Sequence, residues 1–270
     1  MRIMPCCLTI AGSDSGGNAG VQADLRAFHF YRVHGCTVFA ALTAQNPDGV
    51  YAIRSVPADF VAAQLDAVLG GYAVAALKTG MLSDPAAIEV VADRIGRHPE
   101  IAKVVDPVIV ATSGARLSGD SALEVLTGKL LPLATIVTPN IPEAETLSGA
   151  RISNRRDVHE AARRIFGRFG CAVLVKGGHA DGAEAAEDVY FDGSGFRIFS
   201  SPRIKNALST HGTGCSFAAA LAAELALGSD ICSAVEGAKR YVHAAIAGAY
   251  RVGENFGVLG WGSGNETEKE

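Results

Sequence analysis

His211-Gly212-Thr213-Gly214-Cys215-Ser216, followed at once by Phe217-Ala-Ala-Ala-Leu-Ala-Ala-Glu-Leu225, sets a two-glycine turn directly before an alanine-rich helical run. Backbone N–H groups at such a helix start have no acceptor within the helix. The helix dipole adds positive potential, so the turn reads as an anion cradle. The same field is expected to favour the thiolate of Cys215, inside the first turn. An anion cradle and a proton acceptor within one turn suit phosphoryl transfer, where positioning and charge stabilisation carry the rate. The competing reading of Cys215 is an inert buried thiol, and His211 reads as structural.

Working outward from this helix, strand and helix patterns alternate along the chain. Strands are expected at 6–11, 37–42, 74–77, 103–106, 135–137 and 172–175. Helices are expected at 19–31, with Val21, Leu25 and Phe28 on one face, and at 57–69, with Phe60, Val61, Leu65 and Val68. Further helices are read at 84–95, 118–131, 141–147, 154–169, 213–227 and 230–250. Asp192-Gly193-Ser194-Gly195 separates two short strand patterns and signals a hairpin. Short links between alternating elements predict an α/β fold, a mainly parallel sheet with helices on both faces and an antiparallel edge hairpin. Residues 1–259 read as one domain, and 260–270, glycine-rich and then acidic, as a flexible tail.

Composition narrows the function class. The hydrophobic fraction is 49% and the charged fraction 19%, which permits a substantial core and excludes wholesale disorder. The 31 glycines cluster at 12–20, 177–182 and 212–214 and so mark special turns rather than a repeat. A net charge of −4 without a basic block argues against nucleic-acid binding. Six cysteines without a C-x-x-C pair argue against a zinc site and fit a reducing cytoplasm. No apolar stretch is long enough to span a membrane, and the apolar run 4–12 is too short for a signal peptide.

Ligands of such sheets bind beyond the carboxyl ends of the strands. Polar and glycine-rich clusters fall there. Gly12-Ser13-Asp14-Ser15-Gly16-Gly17-Asn18-Ala19-Gly20 has neither dinucleotide-loop nor P-loop spacing, leaving a plain tight turn or a close-approach loop for a small ligand. Asp24 is either a surface or capping aspartate or an acceptor for a ligand's N–H. Gln45 offers an amide donor and acceptor suited to a heterocycle edge. Met81 lies either over a flat ring or in the core. Asp106 and Glu143 are the best acidic candidates for Mg²⁺, with a first-turn dipole role competing at Glu143. Lys176, at a strand end, can reach a transferring phosphate, or it snorkels to solvent.

Taken together, the chain resembles the hydroxymethylpyrimidine/phosphomethylpyrimidine kinases of thiamin biosynthesis, within the ribokinase superfamily. The resemblance rests on Leu8-Thr-Ile-Ala-Gly-Ser-Asp14, Ala19-Gly-Val-Gln-Ala-Asp-Leu25, Ala44-Gln-Asn46, Lys78-Thr-Gly-Met-Leu82, Asp106-Pro-Val108, Thr138-Pro-Asn-Ile-Pro-Glu-Ala144, Lys176-Gly-Gly-His179 and His211-Gly-Thr-Gly-Cys215. It implies a three-layer ribokinase-like fold, a homodimer, and ATP with Mg²⁺ as cosubstrate and cofactor. Gly12, Ala19, Asp24, Gln45 and Met81 would hold the aminopyrimidine. Cys215 would be the general base, with Gly212, Thr213 and Gly214 completing the anion hole. Asp106 and Glu143 would organise Mg²⁺; Lys176, Asn140 and Lys239 would serve the nucleotide. Two departures from the family pattern stand out, Asn18 in the glycine loop and Thr112 in Ala111-Thr112-Ser113-Gly114. The implied activity is ATP-dependent phosphorylation of 4-amino-5-hydroxymethyl-2-methylpyrimidine, its monophosphate, or both. A pyridoxal or pyridoxine kinase of the same fold and a non-catalytic pyrimidine-binding protein are the alternatives.

Overall fold

The first strand, β1 (Cys6–Ser13), is buried along almost its whole length, as a near-continuous apolar run should be in the middle of a parallel sheet. Its side chains alternate between two cores. Cys6, Leu8 and Ile10 face one helical layer, and Cys7 faces the other. The structure is a computed structural model that describes residues 3–109, 119–177, 185–254 and 256–261.

Around β1 the sheet is built from β2 (His34–Asn46), β3 (Gly49–Ser55), β4 (Val74–Thr79), β5 (Ala102–Val105), β6 (Ile136–Val137), β7 (Ala172–Lys176), β8 (Ala185–Phe191) and β9 (Phe196–Pro202). Its order is β3-β2-β1-β4-β5-β6-β7-β8-β9. The six strands from β2 to β7 in that order are parallel, whereas β3 and the β8–β9 hairpin are antiparallel. The expected hairpin is therefore present, and a second antiparallel strand closes the opposite edge. β3 had no hydrophobic alternation to betray it, because it is largely solvated; Tyr51 is 69% exposed.

One face of the sheet carries α2 (Ala58–Gly71), α3 (Pro85–Gly96), α4 (Asp120–Val125), α5 (Ile141–Ser148) and α6 (Arg155–Phe169). The other carries α1 (Gly20–Phe30), α7 (Thr213–Ala226) and α8 (Ile231–Ala247). Small side chains let α7 sit close against β4, β5, α1 and α8, and Ala218 to Ala223 are fully buried. Two expected face assignments fail. Leu25 and Phe60 point to solvent, at 37% and 60% exposure, while Val21, Phe28, Val61 and Leu65 are buried.

Two helix boundaries also differ from expectation. The helix read at 118–131 is α4 followed by a π turn at Leu126–Leu130 and a 3₁₀ turn at Leu131–Leu133. Gly128 weakens the α pattern there, and Pro132 cannot continue it. The last helix stops at Ala247, and β10 (Tyr250–Val252) pairs with β11 (Phe256–Val258). Past that hairpin, Gly260 donates to the Ala245 carbonyl at 2.8 Å and Arg26 stacks over Trp261. The first two residues of the expected tail are thus packed; the others, with Thr112 and His179, lie outside the described residues.

Candidate functional site

A cavity of about 520 Å³ opens where the parallel strands end. It takes residues from the turns after β1, β4, β5 and β6, from the end of β7, from the β2–β3 hairpin, from residues 208–211 and the start of α7, and from β11. This is where the crevice of an open α/β sheet is expected.

The glycine loop forms the first wall, and Asp14 builds it. One carboxylate oxygen accepts the Gly16 N–H at 2.8 Å; the other accepts those of Asn18 and Ala19 at 3.0 and 2.8 Å. Burial pushes the Asp14 carboxyl up, but His211 and these amides outweigh it and hold it below the usual range. Gly17, at φ +76°, carries the left-handed turn, so Asn18 adopts no left-handed conformation. The Asn18 carbonyl instead packs against Gly212. Gly12 and Ala19 line the cavity, as does Met81, whose terminal methyl occupies the space a Gly12 Cβ would need.

The second wall is the start of α7. Gly212 is its N-cap, at φ +86°. A Cβ there would lie 1.8 Å from the Asn18 carbonyl oxygen, so both conformation and space demand glycine. Gly212→Ala is expected to displace the helix start from the glycine loop and to cut kcat/KM by ~10²-fold or more, with far-UV circular dichroism unchanged. Retention of half the activity would show that the close approach is dispensable. Gly212, Gly214 and Cys215 line the cavity, whereas Thr213 does not. The Thr213 N–H and hydroxyl both turn to the Thr210 carbonyl, at 3.3 and 2.9 Å, so Thr213 caps the turn rather than joining the cradle.

The floor is charged. Asp106, just past β5, accepts from Lys176 at 2.8 Å and from the Thr138 hydroxyl at 3.2 Å. Burial lowers the Lys176 pKa, and Asp106 and Glu143 more than restore it, so the ammonium stays charged. Glu143 forms a capping box with Asn140: the Asn140 N–H donates to the Glu143 carboxylate, and the Glu143 N–H to the Asn140 side chain, both at 2.9 Å. Both roles read for Glu143 are therefore open to it, since it caps α5 and lines the cavity. Burial pushes its carboxyl up to about 7, with Asp106 adding to the rise and Lys176 opposing it. Among the described residues no three His, Cys, Asp or Glu side chains form a metal cluster. Two buried carboxylates beside an anion cradle fit a Mg²⁺ that keeps water and substrate phosphate as its other ligands.

Cys215 is partly exposed in this cavity and shares it with Gln45 and Lys176. Its thiol pKa is not depressed as expected. Burial raises it, Lys78 pulls it down, and Asp24 and Asp106 push it up, for a net rise. Desolvation of the thiolate outweighs the field of the helix start.

Two expected site residues stand elsewhere. Asp24 is wholly buried and does not line the cavity; Lys78 donates to its two carboxylate oxygens at 3.0 and 2.9 Å, and the Thr9 hydroxyl donates at 2.6 Å. Three donors already hold this carboxylate inside the protein, away from the cavity. Lys239 lines a separate recess between β9 and α8. It donates to Asp188 at 2.6 Å, and Asp188 accepts the Gly177 N–H at 3.0 Å, so Lys239 props the backbone next to Lys176.

Other wall residues had no site role in the sequence reading, which took His211 as structural. His211 stands between Asp14, at 3.5 Å, and Gln45, at 3.2 Å. Thr43 donates to the Ser13 carbonyl at 2.8 Å, and its hydroxyl lies 3.4 Å from the Gln45 side-chain oxygen. Asp14 had a visible signal, an acidic residue two before Gly16 in an Asx-turn pattern.

A family model described as phosphomethylpyrimidine kinase matches residues 14–260. The chain is 48% identical, over 93% of its length, to the thiamine biosynthesis bifunctional protein ThiED of Geobacter sulfurreducens, and spans 51% of that relative. It is 46% identical to the hydroxymethylpyrimidine/phosphomethylpyrimidine kinase of Synechococcus elongatus, covering 95% of this chain and 97% of that one. Among solved structures, the pyridoxal kinase of Staphylococcus aureus in complex with AMP-PCP and pyridoxal superposes with a TM-score of 0.88 at 32% identity, covering 99% of this chain and 97% of that one.

Proposed function

Because the chain belongs to the phosphomethylpyrimidine kinase family, we propose that it phosphorylates 4-amino-5-hydroxymethyl-2-methylpyrimidine, its monophosphate, or both, with ATP as phosphate donor. The observation that carries this reading is that Cys215 and the amides of the α7 start share one cavity with Gln45 and Lys176. In the proposed reaction the substrate hydroxyl oxygen attacks the terminal phosphorus of ATP, and ADP leaves. The hydroxyl proton passes to the Cys215 thiolate. Gly212, Gly214 and the Cys215 amide face the charge developing on the transferred group, and Lys176 neutralises part of it. Asp106 and Glu143 would hold Mg²⁺, which supplies further charge neutralisation at the phosphates.

Incubation with ATP, Mg²⁺ and the hydroxymethyl pyrimidine is expected to yield the mono- or diphosphate, detected by mass spectrometry. Absence of pyrimidine-dependent ADP formation would reject the reading and leave the pyridoxal kinase and the non-catalytic ones. The pyridoxal kinase reading has its own support, the structural likeness to the Staphylococcus aureus enzyme. Parallel kcat/KM values for the pyrimidine and pyridoxal decide between them, and we expect the pyrimidine to be preferred. We also propose a cytoplasmic homodimer, the assembly that the resemblance implies. All six cysteines are free thiols, and among the described residues no helix is long and apolar enough to cross a membrane. Light scattering is expected to give twice the chain mass.

A further inference from the structure

Residues 256–261 form a strap that the proposed reaction does not use. It begins in the cavity wall, with Phe256 and Gly257 of β11. It then runs along the end of α8. Leu259 is fully buried, Gly260 donates to the Ala245 carbonyl at 2.8 Å, and Gly260 lies too close to the Gly248 carbonyl oxygen for a Cβ to fit. Ala245 is in the last turn of α8, where carbonyls lack a donor within the helix, so this bond sets where the strap ends. The residue it delivers is Trp261, the one tryptophan of the chain, half-buried against α1.

The Arg26 guanidinium lies over the face of Trp261, 4.8 Å from the ring centre. An aromatic face attracts a guanidinium and restricts where it can go. The same guanidinium donates to the Gly17 carbonyl. That carbonyl shares a peptide group with the Asn18 N–H, which Asp14 accepts at 3.0 Å. Arg26 and Asp14 thus hold one peptide group from its two ends. The next peptide group is held as well. Its N–H, on Ala19, goes to Asp14 at 2.8 Å, and its carbonyl, on Asn18, packs against Gly212. Gly17 stands at φ +76°, and glycine has the widest choice of other conformations, so the loop keeps this one only while its peptide groups are held.

We infer that Arg26 and Trp261 are positioning residues: Trp261 holds the Arg26 guanidinium on the Gly17 carbonyl, and Arg26 thereby fixes the glycine loop in the form that presents Gly12 and Ala19 to the pyrimidine and seats Asn18 against the start of α7. Neither side chain lines the cavity, so both act through the loop. Asp14 holds the N–H side of the loop, and Arg26 holds the carbonyl side at Gly17. A loop ordered before its ligand arrives has no ordering cost to meet on binding, so loss of that order shows as weaker binding of the substrate it touches. Lys176, on the proposed nucleotide side, is held by Asp106 instead.

The inference rests on the pyrimidine kinase reading, and the test separates the two. Steady-state kinetics with the hydroxymethyl pyrimidine and ATP are measured for the wild type, Arg26→Met, Trp261→Leu, Trp261→Phe and the double variant Arg26→Met/Trp261→Leu. Arg26→Met and Trp261→Leu are each expected to raise the pyrimidine KM by roughly fivefold, with kcat within about threefold and the ATP KM within about twofold of wild type. The double variant is expected to do no more than the larger single effect, because both side chains act through one contact. Trp261→Phe keeps an aromatic face and is expected to recover most of the wild-type KM. Arg26→Met also uncovers the ring, so the Trp261 emission should shift to the red. An unchanged pyrimidine KM in either single variant overturns the inference. So do additive effects in the double variant, an ATP KM that rises in step, a Trp261→Phe variant no better than Trp261→Leu, or an emission that ignores Arg26. Should Trp261→Leu fail to fold, an unchanged pyrimidine KM in Arg26→Met overturns it. A wild type without pyrimidine turnover sinks the kinase reading first and this inference with it. Wild-type turnover with an insensitive KM in the variants sinks the inference alone.

Discussion

Cys215→Ala is expected to lower kcat by ~10²-fold or more while leaving the pyrimidine KM within about threefold. The sulfur lies in the cavity beside Gly214, and alanine retains the backbone amide of the cradle. What would be lost is the proposed proton acceptor, which acts only as the hydroxyl attacks. The pH dependence gives a sharper readout than the rate. Burial holds the thiol above its ordinary range, and Lys78 offsets only part of this against Asp24 and Asp106. At neutral pH the thiolate is therefore the minor form. A reaction that needs it should gain roughly tenfold in kcat/KM per pH unit between about pH 6 and 8. The residual activity of Cys215→Ala should lack that slope above about pH 7; below it, protonation of Glu143, whose carboxyl is pushed up to about 7, lowers wild type and variant alike. Cys215→Asp, with an acid that ionises at lower pH, should shift the rising limb downward. A wild-type profile flat over this range, or near-wild-type turnover by Cys215→Ala, would remove Cys215 from the reaction.

Much of this site was legible because its residues announce themselves locally. The turn 212–214 must precede a helix, since glycine at φ +86° is what Gly212 supplies before an alanine-rich run. Asp106 follows β5, Lys176 ends β7 and Glu143 opens the helix after β6, and strand ends converge in a parallel sheet. Other features depended on tertiary pairing and could not be read in this way. β3 is an exposed strand whose partner is β2, and its one local sign is the turn pattern Asn46-Pro47-Asp48-Gly49. The π turn after α4 falls where Gly128 and Pro132 interrupt an otherwise helical pattern, and the last helix ends at Ala247, a few residues before the β10–β11 hairpin. The Cys215 thiol was misjudged because a helix start seen in sequence carries its dipole but not its burial. Asp24 was read as a surface or capping aspartate or a ligand acceptor, and not as half of a buried ion pair, because Lys78, its partner, lies 54 residues away.

Lys78→Met is expected to destabilise the protein by about 3–5 kcal/mol, the cost typical of removing one partner from a buried ion pair. Both side chains have zero exposure, and they meet at 2.9 Å. A lysine within the apolar strand β4 loses its hydration on folding and stays charged because Asp24 more than compensates. With methionine at 78, the Asp24 carboxylate keeps the Thr9 hydroxyl but has no cation, and burial already favours its protonated form. For a domain of this size the loss corresponds to a melting temperature lower by roughly 10 °C. The double variant Asp24→Asn/Lys78→Met buries no charge at this point and is expected to recover most of that loss, giving a large coupling in the double-mutant cycle. The pair also acts on Cys215 with opposite signs, Lys78 lowering the thiol pKa and Asp24 raising it. Lys78→Met alone should therefore slow alkylation of Cys215 at fixed pH, and the double variant should bring the rate back towards wild type. Equal stabilities for the single and double variants would show that the ion pair contributes nothing beyond its volume. An alkylation rate that ignores Lys78 would detach the pair from the reacting sulfur.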